Sequence, residues 1–218
     1  MALILALDAA LAGCSAALVD GDRVLAARAA QGDRGHAALL PPMAEAVLRE
    51  AGLAATALDA VAAVVGPGGF TGLRAALALA EGLALGIGRP AIGVTTGEAL
   101  AAALPFGPRA VWSAIDNRRG RVMLERFPPG SLQAEGPPEV VAETDLPRPA
   151  FPVALAGDAA PAIAARLAAQ GLDALLSASR LPSAIAAARV AALRLAGALP
   201  PLAARPLYVE PPAVRRPG

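Results

Sequence analysis

"GPGGFTGLR", Gly66 to Arg74, lies between an apolar run, "LDAVAAVVG" (58–66), and the Ala/Leu-rich stretch "TGLRAALALAEGLALGIG" (71–88). The flanks read as a buried strand running into a helix, so the nine residues form a strand-to-helix corner. Glycines before a helix can present backbone N–H groups to an anion, or can simply let the chain turn and approach another backbone closely. A Walker-type phosphate loop needs a Lys, and all 19 basic residues of this chain are Arg. The dinucleotide spacing G-x-G-x-x-G also fails, because the glycines stand at 66, 68, 69 and 72. The stretch Gly66, Pro67, Gly68, Gly69, Phe70, Thr71 and Gly72 is therefore read as a packing corner, with Pro67 stiffening the turn and Thr71 placed to cap the helix. An anion held at the helix start stays open as the alternative.

Upstream, "ALILALD" (2–8) and "CSAALVDGDRVLAARAA" (14–30) read as three strands, the last two joined by an Asp-Gly hairpin turn. From His36 to Ala51, apolar residues at 39, 40, 43 and 47 mark an amphipathic helix with a Glu45–Arg49 pair on its other face. Pro41 and Pro42 predict that its regular part begins there. Downstream, "PAIGVTT" (90–96) reads as a strand and "GEALAAAL" (97–104) as a short helix. The order β-β-β-α-β-α-β-α defines an α/β N-terminal lobe over 1–104, and a smaller C-terminal lobe is expected over 105–218. In that second lobe "AVWSAID" and "RVMLERF" are strands around "NRRG", 128–150 is mostly loop, "VALAGDAA" is a strand entering a helix, and 182–197 is an Ala-rich helix. Both lobes start β-rich and continue αβ, as an internal duplication would.

Composition narrows the function classes. The chain has 218 residues, 56% of them hydrophobic, yet its longest stretch without a charge is Ala60 to Leu73, 14 residues, short of the ~18–20 of a spanning helix. "MALILALDAA" has no basic region and meets Asp8 too early for a signal peptide, so no membrane association and a cytoplasmic location are expected. Cys14 is the single cysteine and His36 the single histidine, which disfavours a disulfide, a thiolate metal cluster or a His-pair metal site. A net charge of +1 gives no global field for nucleic acid.

Between Gly72 and Gly88 the helix after the corner carries only Arg74 and Glu81, seven apart and on one narrow face. A helix apolar on most sides is buried on most sides. The column Ala78, Gly82 and Gly86 would admit a second helix closely, or else reflects the Ala/Gly load of the chain. His36, at a helix entrance, reads as a capping or structural hydrogen-bonding group first and a binding group second. Asp8 and Asp116 each end a strand, where a carboxylate can bind a metal–phosphate complex or hold turn amides. Ser15, Thr71 and Ser113 have no evident His/Asp partners for a hydrolase triad. Arg118, Arg119 and Arg121 sit in a hairpin turn, a solvated turn or an RNA phosphate contact.

"ILALDAA…CSAAL", "RGHAALLPPM", "GPGGFTGLR…EGLALG…PAIGVTT", "AIDNRRGRV" and "ARPLYVEPPAV" resemble, in order and spacing, the bacterial TsaB family, also called YeaZ. The likeness is close over the first ~127 residues and looser beyond. Gly69 stands where that family usually has Ser, and the double proline is atypical. The resemblance implies an ASKHA (actin-like ATPase, ribonuclease H-like) fold and a non-catalytic partner of TsaD in making N6-threonylcarbamoyladenosine (t6A) in tRNA. It implies further partners in a TsaE-type ATPase and in tRNA through the complex, a homodimer when alone, and no cofactor of its own, ATP being used by the complex. It places the partner interface on the N-terminal-lobe helices: Leu39, Leu40, Met43 and Val47 on the first, and Arg74, Leu77, Ala78, Glu81, Gly82 and Gly86 on the second. Asp8 and Asp116 would be vestiges of a nucleotide site. Thr96 and Leu100 stand where the related catalytic subunit has its His-x-x-x-His metal ligands, which also speaks against an M22-type glycopeptidase. An ATP-dependent enzyme of the actin or sugar-kinase type is the competing reading.

Overall fold

The computed structural model describes residues 2–32 and 34–209. Strands β1 (Leu3–Asp8), β2 (Gly13–Asp20) and β3 (Arg23–Gln31) lead to helix α1 (His36–Ala51), followed by β4 (Ala60–Gly66), α2 (Phe70–Ile87), β5 (Ala91–Thr95) and α3 (Thr96–Ala101). The second half repeats the pattern: β6 (Ala110–Asp116), β7 (Arg121–Phe127), β8 (Glu139–Ala142), β9 (Val153–Ala156), α4 (Ala160–Ala169), β10 (Ala174–Leu176) and α5 (Ala184–Leu195). Each half builds a five-stranded sheet, ordered β3-β2-β1-β4-β5 and β8-β7-β6-β9-β10. In each, the first three strands are antiparallel and the last two parallel to the first. The same order twice is the duplication that the two β-rich starts suggested. Where the first half has α1, the second has only a 3-10 turn at Glu143–Asp145.

The halves exchange their last helices. α3 packs on β6 and β7 of the second sheet, while α5 packs on β1, β2, β4 and β5 of the first. The chain thus passes between the lobes at 102–109 and returns with α5. Alternation along β1 shows why both faces of the first sheet need cover: Leu5 and Leu7 enter the core beneath α1 and α2, and Ile4 and Ala6 the core beneath α5. α5 turns Ala184, Ala187, Ala188 and Ala191 to the sheet, all buried, so that the helix lies close to the strands. Alanine at these positions is a packing requirement, beyond any compositional bias.

Two local expectations are corrected. α1 is continuous from His36, with Pro41 and Pro42 inside it. The carbonyls that lose their N–H partners belong to Ala37 and Ala38, which are exposed and can turn to water. By length and mean hydropathy (18 residues, 1.4), α2 meets the criterion for a membrane span, the one helix among the described residues to do so. Counting only charge-free stretches hid this. Its Leu73, Ala76, Leu77, Ala80 and Ala84 are buried in the protein, but only 33% of the helix is, so α2 is covered along one side and not, as the sequence suggested, on most sides.

Because Ala187 is fully buried where α5 meets the sheet, Ala187→Leu should overpack this layer and destabilise the protein by roughly 1–3 kcal/mol. A shift of the urea midpoint in equilibrium unfolding reads this out, and an unchanged midpoint would show that α5 is loosely seated.

Candidate functional site

β4 ends at Gly66, whose φ of +113° only glycine adopts freely. The chain then lies directly on the β1–β2 turn. Gly69 donates its N–H to the Ala10 carbonyl at 2.7 Å. A Cβ on Gly68 would collide with that same carbonyl, and one on Gly72 with the Ala9 carbonyl. Thr96 clamps the corner from the other side, donating its hydroxyl to the Pro67 carbonyl at 2.7 Å. Gly68 and Gly72 are thus required by close backbone approach, whereas Gly69 has room for a Cβ. Gly69, not Thr71, is the N-cap of α2; Thr71 falls in the first helical turn, exposed, with no side-chain cap bond. His36 begins α1, and its Nε2 donates to the Gly32 carbonyl at 2.7 Å, a structural hydrogen bond.

A cleft of ≈ 380 Å³ opens between the lobes beside this corner, lined by Ala10 to Ala12, Gly68, Gly69, Asp116, Asn117, Arg118, Met123 and Asp158. Asp116 reaches it and accepts the Arg118 N–H at 2.8 Å, while its own N–H binds Asp158 at 2.9 Å. Asp8 does not line it: buried beneath the turn, it accepts the Ala10 N–H at 3.0 Å, and burial pushes its carboxyl up to about 7. Burial also raises Asp158, with the Asp116 charge adding to the shift. An anion entering here meets two carboxylates, one Arg and a glycine N–H already engaged by Ala10. The carboxylates disfavour a bare phosphate and leave a metal–phosphate complex open. Three or more His, Cys, Asp or Glu do not gather anywhere among the described residues. Thr96 is buried on Pro67 and Leu100 lies in the core between the lobes, so neither presents a ligand.

Sequence reasoning missed Asp158. It belongs to a second strand-to-helix corner, in which Gly157 at φ +105° packs on the Ala114 carbonyl as Gly68 packs on Ala10. "AGD" after an apolar run was its signal, legible once the duplication is taken seriously. Arg118 lines the cleft, and Arg119 and Arg121 are exposed beyond it, their turn fixed by Asn117 Oδ1, which accepts from the N–H groups of Arg119 and Arg121 at 2.9 and 3.0 Å.

A buried polar junction, also missed, ties the lobes together. Thr95 caps α3 in a reciprocal box with Glu98. Glu98 pairs with both terminal nitrogens of Arg194 from α5, and Arg194 Nε donates to the Pro200 carbonyl at 2.8 Å. Thr95 Oγ1 donates to Glu125 of β7 at 2.8 Å. Burial, then the charge of Glu98, pushes the Glu125 carboxyl up to about 8. Gly97 is glycine because a side chain there would displace the Glu125 carboxylate.

The outer surface of α1 and α2 sorts the remaining residues. Leu40, Val47 and Leu77 are core residues and cannot meet a partner. Leu39 is exposed and Met43 half-buried. Arg74, Ala78, Glu81, Gly82 and Gly86 are all exposed on one stripe of α2. Phe70, 56% exposed, and Leu85, 84% exposed, extend that stripe at either end; sequence reasoning had placed Phe70 only in the corner and had passed over Leu85. A Cβ at Gly82 or Gly86 would touch nothing, so the fold itself does not ask for glycine there. Each glycine nonetheless costs the helix about 0.5–1 kcal/mol relative to alanine.

Two sheets of order 3-2-1-4-5, with exchanged terminal helices, define a two-lobed protein of the actin-like (ASKHA) class. Ethanolamine utilization protein EutJ from Carboxydothermus hydrogenoformans shares the fold at 12% identity (TM-score 0.50, covering 85% of this chain and 88% of that one). YeaZ from Pseudomonas aeruginosa is nearer, with a TM-score of 0.80 at 30% identity over 95% of this chain and 100% of that chain. The "tRNA threonylcarbamoyladenosine biosynthesis protein TsaB" of Escherichia coli (strain K12) is 40% identical over 126 residues, 57% of this chain. That match spans about half (54%) of the curated relative's length. The profile described as "TsaD: tRNA N6-adenosine threonylcarbamoyltransferase" matches residues 28–128. The chain belongs to the TsaB/YeaZ family.

The sign of the Glu125 effect gives a pH test. Its carboxyl sits near 8 in the folded protein against an ordinary 4.5, so the native state holds a proton that the unfolded chain releases. Stability is complete below about 4.5 and declines as pH rises through 8. Glu125→Gln keeps an acceptor for Thr95 without the charge and should flatten the fall of the urea midpoint between pH 6 and 8.5. Parallel curves for variant and wild type would contradict a protonated Glu125.

Proposed function

We propose that this chain is a non-catalytic scaffold and activator subunit of a cytoplasmic assembly that makes t6A in tRNA, and that it docks a TsaD-type catalytic subunit through the outer face of α2, flanked by α1. The observation that carries this reading is the α2 stripe itself: Phe70, Ala78, Gly82, Leu85 and Gly86 lie open, with Arg74 and Glu81 their only charged neighbours on that face. Helix-to-helix contact of this kind has an apolar, small-residue centre and a polar edge. The non-catalytic part is supported by the corner, where the Gly69 N–H is engaged by Ala10, and by Thr96 and Leu100, which stand buried at the positions of the catalytic subunit's metal ligands. On this reading the docking lobe is 1–104 with α5 laid on it, 105–218 otherwise forms the smaller lobe, and a TsaE-type ATPase, ATP and tRNA meet this chain through the complex.

Reconstitution tests it. The chain alone should neither hydrolyse ATP nor modify tRNA, and adding a TsaD-type subunit with the ATPase should give modified tRNA. Ala78→Trp or Leu85→Arg, both at exposed positions, should abolish stimulation and co-elution while leaving the monomer's thermal melt unchanged. Turnover by the isolated chain, or an intact complex with either variant, would count against the proposal.

One observation favours a second copy on the same face when the partner is missing. Arg74 and Glu81 are seven residues apart, ~10.5 Å along the axis, too far to pair within one helix. They lie symmetrically about a point midway between Leu77 and Ala78, so an antiparallel copy sets Arg74 against Glu81 of the other chain, and Phe70 against Leu85. Arg74→Glu and Glu81→Arg should each shift the homodimer toward monomer in light scattering, and the double variant should restore it. Failure of the double variant to recover would exclude this register.

A further inference from the structure

The last described segment runs as a strap from one face of the first sheet to the other. After α5, Leu202 accepts the Gly93 N–H at 2.8 Å, and Ala203 bridges to Ile92 in antiparallel sense. A Cβ on Gly93 would strike the Ala203 carbonyl, so that glycine exists to let the strap lie against β5. Leu207 then donates to the Val65 carbonyl at 2.9 Å, next to the glycine corner. Leu202, Ala204 and Leu207 pack into the core beneath α1 and α2. The free edge of β5 is thereby covered, as exposed strand edges usually are. The path also delivers Tyr208 to the first turn of α2.

There three exposed side chains lock together. The Arg74 guanidinium lies 3.7 Å from the centre of the Phe70 ring. Its Nε and Nη2 donate to the Tyr208 hydroxyl at 3.3 and 3.1 Å, across 134 residues of sequence. The two rings stack with centroids 6.4 Å apart and an interplanar angle of 29°. Tyr208 remains 52% exposed. A guanidinium has five N–H donors. Two are directed at Tyr208, and no carboxylate among the described residues pairs with Arg74, which is an exposed, aromatic-backed cation.

We infer that the strap is a working part of the docking face, and that Arg74, held by Phe70 and Tyr208, is an anchor for a carboxylate on the TsaD-type subunit. This rests on the docking reading above and deepens it. The cluster is continuous with the α2 stripe. Its composition of Arg, Tyr and Phe is that of residues that dominate interface energetics. Orienting Arg74 before contact removes part of the side-chain ordering cost of association. A guanidinium is matched best by the two oxygens of a carboxylate. A nucleic-acid backbone fits less well, because phosphate-tracking surfaces gather several cations, whereas the exposed face of α2 has one, with Glu81 two turns away.

The test is calorimetric binding of the full-length chain to a TsaD-type subunit at several salt concentrations, with wild type, Tyr208→Phe, Arg74→Lys and Leu85→Arg. Tyr208→Phe keeps the ring and the strap and should leave the thermal melt unchanged, yet weaken binding about tenfold, because the guanidinium loses its orienting acceptor. Arg74→Lys keeps the charge without the fork and should lose about as much. In both, the salt dependence of the dissociation constant should become shallower, which a purely structural role for the strap would not produce. Loss of binding in Leu85→Arg with no effect of Tyr208→Phe or Arg74→Lys would leave the docking face standing and overturn the anchor. Unchanged binding in Leu85→Arg would overturn the docking reading itself. If the Arg74 and Tyr208 variants alter only self-association, or only tRNA binding, with subunit affinity intact, the anchor is assigned to the wrong occupant and the inference fails.

Discussion

Gly69 donates its N–H to the Ala10 carbonyl, and Gly68 and Gly72 leave no room for side chains against Ala10 and Ala9. Through this contact between two backbones the first residues of α2 are fixed on the β1–β2 turn, and with them the direction in which the helix leaves the sheet. A side chain at either glycine would push the helix start outward by the width of a methyl group. α2 would then lose its seat on β4, where Ala76, Leu77 and Ala80 are fully or almost fully buried. The face of α2 that points away from the sheet is set by the same geometry, since a helix seated by one side presents the other. His36 and Thr96, which hold the corner's surroundings through single hydrogen bonds to Gly32 and Pro67, serve that placement.

The duplication explains why a chain of this length needs a polar lock. Exchanging α3 and α5 brings two helix ends and a strand of the other sheet into one buried region. The helix termini and close approaches there leave polar groups that must be satisfied. Glu98 and Arg194 satisfy each other, Glu98 with Thr95 caps the start of α3, and Glu125 enters from β7 as a second carboxyl with no direct ion pair among the described residues. A lone carboxylate in that setting is cheaper to bury neutral than charged. Cohesion of the lobes is therefore coupled to protonation at one residue, although the surrounding packing is apolar.

The residues whose partners are near in sequence were legible from it. β1, β2 and β4 announce themselves through apolar runs, α2 through its length and its two charges, and the corner through glycines that, with no lysine in the chain, exclude the Walker mode. What lay outside local reading has distant partners: Glu125 with Thr95, Arg194 with Glu98, and Tyr208 with Arg74. Thr71 failed as a cap because the helix starts two residues before a capping threonine would require, the backbone of Gly69 being already pinned to Ala10. Leu40, Val47 and Leu77 share a helical periodicity with the exposed residues beside them, and only the position of the sheet decides which of two adjacent apolar stripes is covered. Asp8 and Asp116 look alike as strand-ending carboxylates, yet one lies under the turn and the other over it, a difference of layer that composition does not encode.

A backbone N–H can serve one acceptor well. In a nucleotide-binding corner the amides before the helix point at phosphate; here the Gly69 amide points at Ala10, and the space in front of it is bordered by Asp116 and Asp158. The corner therefore exchanges this one amide's capacity to hold an anion for a tighter joint between α2 and the first hairpin. That exchange is consistent with a helix whose outer side, rather than its N-terminus, meets another molecule. A phosphate-binding helix must leave its first turn accessible, whereas this one has its first turn braced by the corner from within and by Tyr208 from without. Bracing both ends of the first turn restricts the motions that would blur an exposed stripe of glycine and alanine. The corner and the aromatic-backed arginine thus hold the same start of α2, one from within the lobe and one from its surface.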